Sequence, residues 1–142
     1  MRFLDVMRKF CVLMPLFLIG CASAIVAESK AVLERYPTVV FEDGISEDEA
    51  KLIAQRELIR QDQVERYDLS GPQVTTNLAG LPRAAEHWFI FFNERAAWTT
   101  QYVFMAAVNK RNGGVTFARD YTPDKRWLLE AALLRDNVPD KL

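Results

Sequence analysis

Three segments in the second half of the chain are rich in apolar, β-prone residues. These segments are His87–Asn93 (HWFIFFN), Thr100–Val108 (TQYVFMAAV) and Val115–Tyr121 (VTFARDY). Residues two apart share a face of a strand, and large apolar side chains occupy both sets of positions in the first two segments. The pattern predicts three neighbouring antiparallel strands whose sheet is covered on both faces.

Shorter segments predict the rest of the sheet. Asn112-Gly113 supplies the positive φ values that a hairpin turn needs between the second and third strands, although the whole connection is longer than two residues. A β-prone piece, Gln73–Leu78, lies between two turn-forming clusters that contain Gly and Pro. Thr38–Phe41 follows a proline and is also β-prone, so we expect it to form an edge strand.

A capping box predicts the start of the main helix. The Ser46 side chain can accept a hydrogen bond from the Glu49 amide, and the Glu49 side chain can reach back to the Ser46 amide. Acidic residues in the first turn also favour the positive end of the helix dipole. We expect this helix to end near Gln61 or Asp62.

The segment Pro123–Arg135 (PDKRWLLEAALLR) predicts a short C-terminal helix that Pro123 begins. The apolar residues at helical spacing on its expected buried face are Trp127, Leu128, Ala131 and Leu134. The predicted fold class is therefore α+β. An antiparallel sheet of three to four strands carries the main helix on one face and the short C-terminal helix on the other.

The beginning of the chain has the pattern of a secretory signal peptide, residues 1–20. Basic residues precede an apolar run of eleven residues, about 16 Å long as a helix, which is too short for a hydrocarbon core of ~30 Å. Leu18-Ile19-Gly20-Cys21 then resembles the lipobox of bacterial lipoproteins. The resemblance implies that Cys21 is acylated, becomes the mature N-terminus and anchors the protein in the cell envelope.

The alternative to acylation at Cys21 is cleavage at a second site, which would give a soluble protein. Signal peptidase could cut after Ala22-Ser23-Ala24, a small-x-small site, and release the protein. If Cys21 is acylated, the uncharged residues that follow it imply the outer membrane, facing the periplasm. We then expect residues 21–35 to form a tether and residues 36–142 to form one α+β domain.

Composition and candidate chemistry argue against an enzyme. Nineteen acidic residues against 18 basic ones disfavour nucleic acid as a partner, and two cysteines are too few for a four-cysteine zinc site. His87 is the only histidine, and a site of Ser70, His87 and Asp120 has no supporting motif, so we expect a polar strand end there. The carboxylates near Ser46 are explained by the helix start. We therefore predict no catalytic residue, metal or cofactor.

Ile45–Ala50 reads Ile-Ser-x-x-x-Ala, and Val108–Val115 reads Val-Asn-x-x-x-Gly-Gly-Val. These two segments resemble the start and the end of the PepSY domain family, whose members open with Ile-Ser-x-x-x-Ala and end with Val-Asp-x-x-x-Gly-x-Val. The resemblance covers about residues 45–121, and the departures are Asn109 where Asp is common, one extra glycine and a long loop from Ser70 to Glu86. The layout is also similar to small immunity proteins of the nuclear transport factor two-like kind. Either resemblance implies a secreted or surface module that binds or inhibits another protein, often a peptidase or hydrolase.

Three aromatic residues are the candidate binding site: Trp98, Tyr102 and Trp127. Exposed Trp and Tyr side chains often anchor protein interfaces, although ordinary core packing is the alternative for each of them. The predicted function is a membrane-tethered, non-enzymatic protein-binding or inhibitory module. The alternative is a small-ligand carrier or a hydrolase with a pocket between the sheet and the C-terminal helix.

Overall fold

A computed structural model describes residues 20, 22–96 and 103–136 of the chain, which form an α+β fold. In the described residues, one antiparallel sheet has the order β1-β2-β3-β4. Its strands are β1 (Gln73–Thr75), β2 (His87–Asn93), β3 (Val103–Asn109) and β4 (Val115–Tyr121). The helices are α1 (residues 22–35), α2 (Glu47–Arg60) and α3 (Arg126–Arg135). The predicted fold class is confirmed.

The sheet separates two apolar layers, as the alternation predicts. Ile90 and Phe92 of β2 pack on the side of α2, whereas Phe89 and Phe91 pack on the side of α3. Strand β3 follows the same rule, with Phe104 on the first side and Met105 on the second. Both faces of the sheet are therefore covered by helices.

The capping box forms as predicted at the start of α2. The Ser46 Oγ atom accepts from the Glu49 amide at 3.4 Å, and the Glu49 carboxylate accepts from the Ser46 amide at 2.9 Å. The helix ends at Arg60, with Gln61 as its C-terminal cap. These local hydrogen bonds fix where α2 begins.

Thr38–Phe41 does not form the predicted edge strand. Tyr36–Thr38 is a 3₁₀ turn with the proline in its first positions, and the following residues have no strand partner in the described part of the chain. The Val40 amide donates instead to Glu49 Oε1 at 2.8 Å. The Glu49 carboxylate therefore accepts the hydrogen bond that the Val40 amide would have donated to a neighbouring strand.

The buried face of α3 differs from the predicted one. Leu129 and Leu133 are completely buried against the sheet, whereas Trp127 is 64% exposed and Leu134 is 56% exposed. Pro123 begins a 3₁₀ turn, and the α-helix itself begins at Arg126. Because apolar residues occur on all sides of this helix, their spacing did not determine which side would be buried.

The β3–β4 turn depends on one glycine. Gly113 has φ +71°, as predicted, but Asn112 does not adopt a positive φ. Its Oδ1 atom accepts from the Gly114 amide at 2.9 Å, an arrangement that the longer turn permits. A Cβ atom at Gly113 would lie 2.6 Å from the Phe41 ring, so the turn also needs glycine for space.

The two segments that carry the PepSY resemblance meet in the structure. The Ile45 amide donates to the Lys110 carbonyl at 2.7 Å, which joins the start of α2 to the β3–β4 turn. The Trp88 indole N–H donates to the Ile45 carbonyl at 2.8 Å. These contacts tie the helix start, β2 and the turn into one corner of the fold.

Candidate functional site

The outer side of α3 carries an apolar stripe. Trp127 and Leu134 are seven residues apart, about two helical turns, and therefore lie on the same side. Both are exposed, and the half-buried Ala131 lies between them. An exposed tryptophan in line with an exposed leucine is a feature of protein-binding surfaces. We call Trp127, Ala131 and Leu134 the α3 stripe.

The other sequence-predicted site residues, Cys21, Trp98 and Tyr102, lie outside the described residues. After Trp98 and Tyr102, the described chain resumes at Val103, which pairs with Tyr121. Tyr121 ends β4, and α3 begins five residues later. Val103 therefore lies at the end of the sheet where α3 starts.

His87 lies at the start of β2, as predicted, but it is completely buried in a polar cluster. Its Nδ1 atom is 3.0 Å from the Arg83 carbonyl oxygen, and its Nε2 atom is 3.1 Å from the Thr116 hydroxyl. The Asp136 carboxylate accepts from Thr116 at 3.2 Å and from Asn109 at 3.3 Å. Because a carbonyl oxygen can only accept, the contact with Arg83 requires an N–H group at Nδ1.

A β-bulge aims Thr116 at this cluster. The pairing of β3 with β4 shifts by one residue after Ala107, which makes Thr116 an extra residue in β4. Regular alternation would place Thr116 on the α2 side with Ala118. The bulge instead brings its hydroxyl to His87 on the α3 side. Sequence reasoning missed this cluster because the bulge has no local signature here.

The arrangement around His87 does not match a hydrolytic site. The other two candidates for such a site make their hydrogen bonds elsewhere: Ser70 with Asp68, and Asp120 with Tyr67 and Arg66. With no exposed surface, the His87 ring offers no atom to a substrate in this conformation. The cluster therefore fixes the C-terminal end of α3 against β2 and β4.

A second polar network lies toward the opposite end of β4. The Tyr67 hydroxyl donates to Asp120 Oδ1 at 2.8 Å, and Arg66 Nη1 donates to Asp120 Oδ2 at 2.8 Å. Arg66 also donates to Glu94 at 2.9 Å. Burial, followed by the hydrogen bond to Asp120, raises the pKa of the Tyr67 hydroxyl, so the phenol stays protonated. Three distant chain segments form this network.

An apolar groove of about 660 Å³ runs along α1. Its apolar walls include Ile25, Val26 and Leu33 of the helix and Val64 from the segment after α2. The helix is held to the domain by the buried Val32 and by an ion pair of 3.0 Å between Glu28 and Arg95. The predicted tether is thus helical from residue 22 and contacts the domain through these groups.

The described residues contain no group of three or more His, Cys, Asp and Glu side chains suited to holding a metal ion. Glu49, in the acidic first turn of α2, accepts a hydrogen bond from the Ser46 hydroxyl, and that hydrogen bond lowers its pKa. None of the described helices has the length and apolar character needed to cross a membrane.

Comparisons with protein-family models, curated proteins and solved structures found no match for this chain.

Proposed function

We propose that this chain is a lipid-anchored, non-enzymatic protein-binding module of the bacterial cell envelope. The α3 stripe is the observation that carries the proposal. Trp127 keeps 64% of its surface exposed on a helix whose inner face is already filled by Leu129 and Leu133. Burying a tryptophan of this exposure against a partner contributes more free energy than burying most other side chains.

The same packing argues against a ligand pocket between the sheet and the C-terminal helix. That space is occupied by a cluster of buried residues: Leu81, Phe89, Met105, Ala107, Phe117, Leu129 and Leu133. A carrier or hydrolase that used this interface would need to displace closely packed side chains. The exposed apolar stripe on the outer side of α3 suits a protein partner better than a small molecule.

The position of α1 supports anchoring at Cys21. The lining of the apolar groove along α1 includes Ala22, the residue directly after Cys21 in the sequence, so the groove would lie close to an attached lipid. Val26 and Leu33 are exposed on this helix. A lipid chain at Cys21 would therefore bring an already apolar surface near the bilayer.

The partner class comes from the sequence resemblance. PepSY domains and the small immunity proteins imply a peptidase or hydrolase that the module binds or inhibits. The α3 stripe supplies an apolar contact of the kind that such binding requires. Inhibition would then follow from steric cover of the partner and needs no chemistry in this chain.

The test is capture of partners from envelope extracts by the anchored protein and its variants, followed by mass spectrometry and enzyme assays. Trp127→Ala should weaken binding of the specific partner by about 1 to 4 kcal/mol. Val40→Ala is the matched control, since Val40 is 49% exposed and distant in sequence from α3. Equal capture by wild type and Trp127→Ala at matched folded concentration would contradict the proposal.

A further inference from the structure

A pocket of about 410 Å³ opens beside β4, which is an edge strand of the sheet. The segment that follows α2, strands β3 and β4 and the start of α3 all contribute to it. Its charged lining consists of Arg66, Arg119, Lys125 and Asp120, and its apolar lining consists of Phe104 and Leu128. Three cationic side chains therefore face one carboxylate across a small space.

The one carboxylate in this pocket is already engaged. Asp120 Oδ1 accepts from the Tyr67 hydroxyl, and Asp120 Oδ2 accepts from Arg66. Arg66 in turn pairs with Glu94 at 2.9 Å. These contacts use Asp120 to hold Arg66 and Tyr67 in place, so Asp120 does not neutralise the remaining two cations.

Arg119 and Lys125 are the cations left over. Within the part of the chain that the structure describes, neither side chain makes a hydrogen bond or an ion pair. By contrast, Arg126, the residue next to Lys125, pairs with Glu130 at 3.1 Å. Two unpaired cations that line the same pocket attract an anion more strongly than either one would on an open surface.

The N-terminal end of α3 adds to the positive charge that Arg119 and Lys125 bring to the pocket. Lys125 occupies the N-terminal cap position, and its side chain makes no capping hydrogen bond. The first turn of α3 contains no acidic residue, and this helix is ten residues long. The partial positive charge of the helix end is therefore not offset from within the helix.

We propose that this pocket binds a carboxylate group. A planar guanidinium and an ammonium can together donate to both oxygens of a carboxylate, while the half-buried Leu128 offers an apolar contact to the aliphatic carbons behind it. A phosphate dianion fits less well, because Asp120 repels two charges more than one. The carboxylate comes either from a small free acid or from an acidic side chain of a protein partner. The second source rests on the proposed function, and the first does not.

Titration calorimetry on the full-length protein in detergent micelles tests the site. The probes are glutarate, its neutral analogue glutaramide, and a short peptide with one central Glu beside the same peptide with Gln. Glutarate or the Glu peptide should bind saturably, more weakly at high salt, and the neutral probes should not bind. Tight binding of the Glu peptide with weak glutarate binding identifies a protein source, and the reverse identifies a free acid.

Two variants and a control locate the binding. Arg119→Gln and Lys125→Gln should each weaken binding at least tenfold, whereas Arg111→Gln, which removes one exposed cation from the β3–β4 turn, should leave it unchanged. The proposal is overturned if neither acidic probe binds, if inorganic phosphate binds more tightly than both, or if Arg119→Gln and Arg111→Gln behave alike. Because Trp127→Ala leaves this pocket's charges intact, failure here and failure of the α3 stripe are distinguishable.

Discussion

The Nε2 atom of His87 lies 3.4 Å from the Oδ2 atom of Asp136, which joins the beginning of β2 to the C-terminal end of α3. His87 is completely buried, whereas the Asp136 side chain is 35% exposed. Thr116, turned inward by the β-bulge, bridges the two side chains. This cluster and the pocket beside Arg119 lie toward opposite ends of β4, and α3 begins near the second and ends at the first.

We predict that His87→Gln destabilises the fold without abolishing function. The substitution removes the ring that contacts the Arg83 carbonyl and Thr116 in a buried site, so the free energy of unfolding should fall by about 1 to 3 kcal/mol in urea denaturation. Partner binding at matched folded concentration should equal that of wild type. Complete loss of function in well-folded His87→Gln, with Trp127→Ala unaffected, would favour the enzyme hypothesis instead.

Replacing Cys21 with Ser should remove the membrane anchor. Acylation requires the thiol, so the Cys21→Ser protein should move from the membrane fraction to the soluble fraction, and intact-mass measurement should show no attached lipid. Cys11→Ser is the matched control, because Cys11 lies within the predicted signal peptide and should not affect fractionation. An unmodified N-terminus at Ile25 in the wild-type protein would mean that the soluble alternative is correct.

The capping box predicts the effect of Ser46→Ala. Loss of the Oγ acceptor should lower the free energy of unfolding by about 1 kcal/mol and leave the circular dichroism spectrum unchanged. Ser29→Ala, in the middle of α1, is the control and should cost little, since alanine favours a helix interior. A denaturation midpoint of Ser46→Ala identical to that of wild type would show that the cap contributes nothing.

Protonation of Glu49 should remove part of the protein's stability at acidic pH. The Ser46 hydroxyl, followed by the Val40 and Ser46 amides, lowers the pKa of this carboxyl from its ordinary value of 4.5. A lowered folded-state pKa stabilises the fold above about pH 4.5, and that stabilisation disappears as the pH falls through the folded-state value. Glu49→Gln should therefore flatten the dependence of the melting temperature on pH below 4.5. An unchanged acid slope would contradict this role.

The β3–β4 turn offers a test that separates backbone strain from steric overlap. Gly113→Ala forces alanine to φ +71° and brings its Cβ atom against Phe41, so it should cost more than about 1 kcal/mol. Gly71→Ala places alanine at φ +65° with no atom within 4 Å and should cost less. The difference between the two free energies of unfolding measures the overlap, and equal values would exclude it.

The sequence by itself determined the features that depend on neighbouring residues. The alternation in β2 and β3 assigned Phe89 and Ile90 to opposite faces, because successive strand side chains always point to opposite sides. The capping box located the start of α2, because Ser46 and Glu49 bond to each other's backbone within one turn. Such local geometry needs no knowledge of the rest of the fold.

Only the tertiary structure decided which surfaces of these elements became buried or paired. The side of α3 that packs on the sheet could not be predicted, since apolar side chains surround the helix and the sheet selected Leu129 and Leu133. The contact between His87 and Asp136, and the pocket beside Arg119, join segments far apart in the chain. Their positions depend on the twist and register of the whole sheet, including the bulge at Thr116, which no short stretch of sequence specifies.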